Sequence, residues 1–231
     1  YQKGEKEKNS PQMLKAYAWR MKYREMLNPD SLYAGLKGLE QWVKQTDQPM
    51  DRAILHSLIA EIYANYAANN QWQLRQRTEI VGQTPSADIR EWTANMFVEK
   101  VRTNVKEALA DSVLLLKTSS RDYIPFVELG KTSEYYHHDL YHLLASRGID
   151  ALLQVEKLGS GYTETNAVNP VKQDIIAIYG NMLSAYKAAG LKEGYVLTAL
   201  NYLEWRRGAE RYIRPLQALS LIHISEPTRL G

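Results

Sequence analysis

The chain reads as an all-α protein of stacked antiparallel αα-hairpins, a degenerate tetratricopeptide-like solenoid. Three observations predict this. Apolar residues recur at spacings of three and four along nearly every segment, which places them on one helix face. Leu55, Leu58, Ile59, Ile62, Tyr63 and Tyr66 are the best example. Short breaks holding Pro, Gly or Asn separate these segments, and helices joined by short connections pack as antiparallel neighbours. Period-two alternation and the dipeptides of tight hairpin turns are absent, so nothing argues for strands. Ala and Tyr recur at helical spacing, although no strict period near 34 residues runs through the chain.

The elements follow in order. Ser10 stands where an N-cap belongs and Pro11 at the first helical position of a helix over residues 11–27. Asn28-Pro29 stops it. Asp30 or Ser31 caps a second helix to about residue 46, carrying Leu32, Leu36, Leu39 and Val43. Gly35 and Gly38 weaken that helix or let a neighbour pack closely. Asp47-Gln48-Pro49 breaks the chain before a long third helix, residues 51–69, and residues 71–77 form a short continuation or turn. A loop at 82–85 leads to Ser86 or Asp88 as the next cap. A fourth helix spans about 93–116 with Phe97, Val101, Val105, Ala108 and Leu109 as its stripe. Residues 118–122 form a loop, and Ile124-Pro125-Phe126 a one-turn buried element. A fifth helix covers about 133–157, with a kink expected at Gly148. Residues 159–169 are the clearest internal loop. A sixth helix starts at Pro170, carries Ile175, Ile178, Tyr179, Met182, Leu183 and Tyr186, and ends at Gly190. A seventh runs from about 193 to 207. In a stacked array each hairpin buries its stripe on the next, so this last helix should expose an unpaired face.

The expected organisation is a connector over residues 1–10, one helical-repeat domain over 11–218 and a non-native tail over 219–231. The opening stretch is polar and mixed in charge. The string LSLIHISEPTRLG at 219–231 resembles translated sequencing-adapter read-through and is set aside from fold reasoning. Apolar residues make up 45% and charged residues 24%, a balance that supports a folded core rather than disorder. Net charge is only +3, and basic residues are interleaved with acidic ones, which argues against nucleic acid. Cys is absent, which excludes a disulfide framework, a thiolate metal site and a cysteine nucleophile in this stretch. No run approaches the roughly 18 apolar residues of a membrane span.

Few residues suggest chemistry. His138 and His142 lie four apart, the spacing of two zinc ligands on one helix face in an HExxH motif. The residue after the first His is Asp139 rather than Glu, and a third ligand at a plausible spacing is missing. The pair therefore reads as structural or surface histidines. Glu61, Glu99, Glu107 and Glu204 have basic helical neighbours and read as exposed ion-pairing positions. Gly159-Ser160-Gly161 follows a helix and lacks the Lys-Ser/Thr of a phosphate loop, so it reads as a flexible connection. No G-x-S-x-G serine elbow occurs. With 16 Tyr and 5 Trp against 2 Phe, Trp19, Tyr23, Trp42, Tyr63, Tyr66, Trp72 and Trp92 either line a groove that stacks on sugars or peptides, or pack between helices with polar tips at the rim. The second reading is preferred. Arg206-Arg207 and Arg211-Tyr212-Ile213-Arg214 make the most basic cluster. Neither catalytic residues, nor metal ligands, nor a cofactor is assigned.

One stretch carries a resemblance. Leu55-His56-Ser57, Ala60-Glu61, Tyr63, Tyr66, Asn70, Trp72, Arg77-Thr78 and Trp92 together resemble the helical N-terminal region of the large alpha-2-macroglobulin-like, MG2-domain-containing proteins of Bacteroidetes. Asp88-Ile89-Arg90-Glu91-Trp92-Thr93 looks like that family's loop-to-helix step, and residues 136–152 look like one of its helices. The likeness covers residues 8 to about 207 and is strongest over 55–152. It implies a large, exported protein, periplasmic or outer-membrane associated, that entraps proteases. This stretch would be a non-catalytic scaffold or interaction module, with downstream macroglobulin domains of the same chain, proteases or envelope proteins as partners. The family's thioester needs Cys, so it does not lie here. Two other classes stay open: a SusD-like helical-repeat glycan-binding lipoprotein, with aromatics exposed together in one shallow groove, and a metal-dependent enzyme, with His138 and His142 converging on a third ligand.

Overall fold

The computed structural model describes residues 9–28, 31–77, 86–128, 139–158 and 169–211. Among them run nine α-helices: α1 (Ser10–Leu27), α2 (Ser31–Gln45), α3 (Pro49–Asn69), α4 (Gln71–Arg75), α5 (Ala94–Ala108), α6 (Ser112–Lys117), α7 (Leu140–Glu156), α8 (Pro170–Ala189) and α9 (Lys192–Arg211). Ile89–Glu91 and Ser120–Tyr123 form 3-10 turns. No strand occurs among the described residues; Ser119 and Asp139 make an isolated antiparallel bridge. The chain is all-α, as expected.

Helix boundaries follow local chemistry, with instructive departures. The cap of α1 is Asn9 rather than Ser10: its side-chain oxygen accepts the Gln12 amide at 3.1 Å and its carbonyl the Met13 amide. Asn169 likewise caps α8, accepting the amides of Val171 and Lys172 just ahead of the predicted Pro170 start. At the far end of α8 the amides of Gly190 and Leu191 return to the carbonyls of Lys187 and Tyr186. This paired closure needs left-handed backbone, and Gly190 supplies it at φ +70°. The predicted fourth helix divides. α5 ends at Ala108, and α6 begins only at Ser112. Asp111-Ser112 is a helix-start signal that the continuous apolar pattern masks. Ile124-Pro125-Phe126 is a turn in which Phe126 is buried but Ile124 is exposed.

The chain forms two compact units. One comprises Trp19–Asp111 and Leu144–Ile176. At its centre α3 packs against α2 and α5. Tyr63 meets Phe97, and His56, earlier on α3, meets Asn104, later on α5, so the two helices run antiparallel. The predicted single stripe of α3 is too narrow. Ala53, Ile54, Leu55, Ser57, Ile59, Ala60, Tyr63, Ala64 and Ala67 are buried around most of its circumference, while Leu58, Ile62 and Tyr66 are half-buried. A helix enclosed on several sides buries its small residues too. On α5, Phe97, Val98, Val101, Val105 and Ala108 are buried. Gly148 on α7 lies against Val105: a Cβ there would come within 2.8 Å of Val105 Cγ1. The glycine thus permits a close approach of the two helices. Gly35 does the same toward Met21.

The other unit comprises Tyr1–Ala18, Ser112–Leu143 and Ala177–Gly231. Here α8 and α9 form an antiparallel pair. Gly194 sits beneath the Tyr186 ring, where a Cβ would be 2.6 Å from Cε1, and Tyr202 and Trp205 pack on Tyr179. The inner face of α9 is thus Gly194, Thr198, Tyr202 and Trp205. Residues 1–8 and 212–231, which hold most of the expected connector and the tail, lie outside the described residues.

Candidate functional site

The histidine pair is the first test. Asp139 stands outside α7 and Leu140 is the first residue of the helix that carries His142. His138 lies outside the described residues. His142 is buried on the first turn of α7. Asp139 is the cap of that turn: its Oδ1 accepts the His142 amide at 2.6 Å, the bond an N-cap makes with the third residue of a helix. Its Oδ2 accepts the buried Tyr186 hydroxyl at 2.9 Å, and the Leu140 amide donates to the Thr118 carbonyl at 2.8 Å. Burial pushes the Tyr141 phenol up to about 12, with the Asp139 charge adding to it. Burial, then the charge and hydrogen bond of Asp139, pushes Tyr186 far above the usual tyrosine range. Both phenols keep their protons well beyond neutral pH. The sequence pattern, which runs the fifth helix from about residue 133, hides Asp139 as a cap. Asp before an apolar run was the available signal.

Several charged side chains of the unit built on α3 join its helices. Arg102 donates to Asp174 at 2.5 Å and to Glu99 at 2.6 Å, tying α5 to α8, and these bonds raise its guanidinium above its ordinary value. Arg147 of α7 pairs with Glu61 of α3. Glu40 of α2 accepts from Lys100 Nζ at 2.8 Å and from the Tyr63 hydroxyl at 3.1 Å. Asn104 donates to the Lys100 carbonyl, so its oxygen faces His56 and His56 Nδ1 is the donor at 2.8 Å. Glu61 and Glu99 therefore face basic partners, Glu107 is exposed and Glu204 half-buried. Among the described residues no group of three or more His, Cys, Asp or Glu could hold a metal ion.

The aromatic set divides by location. Tyr63 stacks on Trp92 at 5.3 Å, and Phe97 closes on Tyr63, Tyr66 and Trp92. The Trp92 indole N–H donates to the Ser86 carbonyl and Arg77 donates to the Trp92 carbonyl, so this cluster also clamps the approach to α5. Trp42 and Tyr66 are half-buried. Trp19 and Tyr23 are exposed and stacked at 5.5 Å, with Lys22 Nζ over the indole, and Trp72 is exposed on α4. Arg206, Arg207 and Arg211 lie on α9, whereas residues 212–214 and Gly159-Ser160-Gly161 fall outside the described residues.

Among the described residues, exposed large apolar side chains gather on two helix faces. On α1, Trp19, Tyr23, Met26 and Leu27 are exposed; on α9, Tyr195, Val196, Leu200 and Leu203 are. Among the described residues no helix is long and apolar enough to cross a membrane. Comparison with family models, with curated proteins and with solved structures found no match to this chain.

Proposed function

We propose that this chain is a non-catalytic helical scaffold, the N-terminal interaction module of a large envelope-associated protein similar to alpha-2-macroglobulins that traps proteases. Its helices act as antiparallel αα-hairpins of a degenerate solenoid, and their exposed faces receive partners. One observation carries the scaffold reading: buried Asp139 caps α7 through the His142 amide and ties it to α8 through the Tyr186 hydroxyl. The family reading rests on Leu55, Tyr63 and Trp92, which belong to the resemblance and are core residues. The antiparallel course of α3 against α5 and of α8 against α9 supports the hairpin element.

The test is the natural reading frame beyond Leu219, recovered from a longer stretch of the source DNA. Macroglobulin-type β-sandwich repeats are expected there. A frame that continues as SLIHISEPTRLG, or stops soon after, defeats the family reading and leaves a free-standing helical binding protein. A second reading, glycan binding in the manner of SusD-like proteins, draws on the exposed Trp19–Tyr23 stack. Oligosaccharide titration of the chain, lost on Trp19→Ala, would establish it. Burial of Tyr63 and Trp92 weighs against a groove built from the whole aromatic set.

A further inference from the structure

The outer face of α9 is a seam. Glu193, Val196, Leu200, Leu203 and Arg207 follow one another at spacings of three, four, three and four, and all five are exposed. Val196, Leu200 and Leu203 keep 55%, 59% and 60% of their surface in water. The opposite face is already committed to α8 through Gly194, Tyr202 and Trp205, so the seam is not a loosely packed core edge. A heptad-like stripe of this kind pays to be buried against another helix.

We infer that α9 pairs antiparallel with α9 of a second copy of this chain, about a two-fold axis at Leu200. Charge selects that occupant. Glu193 and Arg207 lie seven residues either side of Leu200, with opposite sign, at the two ends of the apolar run. In the antiparallel pair each glutamate faces the other copy's arginine, twice over by symmetry. Val196, four residues before the axis, meets Leu203, three after it, and Leu200 meets itself. Among the described residues neither Glu193 nor Arg207 has an ion-pair partner within the chain. Antiparallel alignment also sets the two helix dipoles favourably. Parallel pairing would oppose like charges at both ends. A two-fold contact is self-complementary and closes, which gives a dimer and not a filament. The inference rests on α9 alone and is independent of the family reading.

The experiment is sedimentation velocity of the full chain across a micromolar-to-millimolar range. A concentration-dependent dimer is expected. Leu200→Glu, at an exposed position that leaves the helical circular dichroism unchanged, should abolish it. Glu193→Arg should weaken it by about tenfold over the two pairs. Adding Arg207→Glu to Glu193→Arg should recover most of that loss, an outcome that mere loss of charge cannot produce. Because the chain has no Cys, Leu200→Cys places one thiol per copy at the axis, and a short thiol cross-linker should capture dimers. Lys187→Cys, exposed on α8, should not. A monomer throughout the range, open-ended growth such as an α9-to-α1 contact would give, or a dimer indifferent to Leu200→Glu overturns the proposal.

Discussion

Replacing Tyr186 by Phe isolates the polar brace at the start of α7. The ring is fully buried and lies over Gly194, and both features survive the change, so packing is preserved. Only the hydroxyl that donates to Asp139 Oδ2 at 2.9 Å is removed. Asp139 is itself buried, so its carboxylate loses a partner that water cannot easily replace. A hydrogen bond to a charged group contributes about 1.5–3 kcal/mol. We expect Tyr186→Phe to cost about 2 kcal/mol, roughly 4–8 °C in Tm for a chain of this size. Asp139→Ala should cost about 1 kcal/mol more, because the cap on the His142 amide goes with it. The double variant should then fall short of the sum by about 1.5–2 kcal/mol, the coupling between the two groups. Urea unfolding followed by circular dichroism measures all three, with Tyr195→Phe, whose ring is exposed, as control. If Tyr186→Phe lies within about 0.5 kcal/mol of the parent, as surface changes do, or the two changes simply add, the brace does not exist as described.

Four further outcomes can be measured. Gly148→Ala should destabilise by about 1–3 kcal/mol, because its Cβ would meet the stiff Val105 side chain at 2.8 Å. Gly35→Ala meets Met21, most closely at its flexible terminal Cε, and should cost less than Gly148→Ala or be neutral; the reverse order in urea midpoints would contradict the packing. Tyr141, held near 12 when folded, keeps its proton at pH values where an unfolded tyrosine, near 10, has lost it. Its contribution is therefore complete below about pH 10 and declines as pH rises toward 12; Tyr141→Phe should flatten that decline, and an unchanged slope would refute the assignment. Zinc or EDTA should leave the Tm unchanged, whereas stoichiometric metal lost on His138→Ala would reinstate the metalloenzyme reading.

Much of the local architecture was legible in the sequence. Pro170 at a helix start and Gly190 at its end encode backbone geometry directly, because one restricts φ and the other tolerates φ +70°. Leu36, Leu39, Leu55 and Phe97 declare themselves as core by their spacing. The break between α5 and α6 was harder, since the apolar pattern continues across it while Asp111-Ser112 restarts the helix.

What the sequence by itself determined is the class of the protein and most of its helices, because helix propensity, caps and breakers act within a few residues. Tertiary structure alone decided what those helices touch. Arg102 finds Asp174 across 72 positions and Glu61 finds Arg147 across 86. Such pairings leave no local periodicity to read. The same holds for α3, whose one predicted stripe became a helix buried on most sides, and for Asp139, whose role depends on a tyrosine 47 residues away. Burial is a property of neighbours in space, and a chain read along its length shows only its neighbours in sequence.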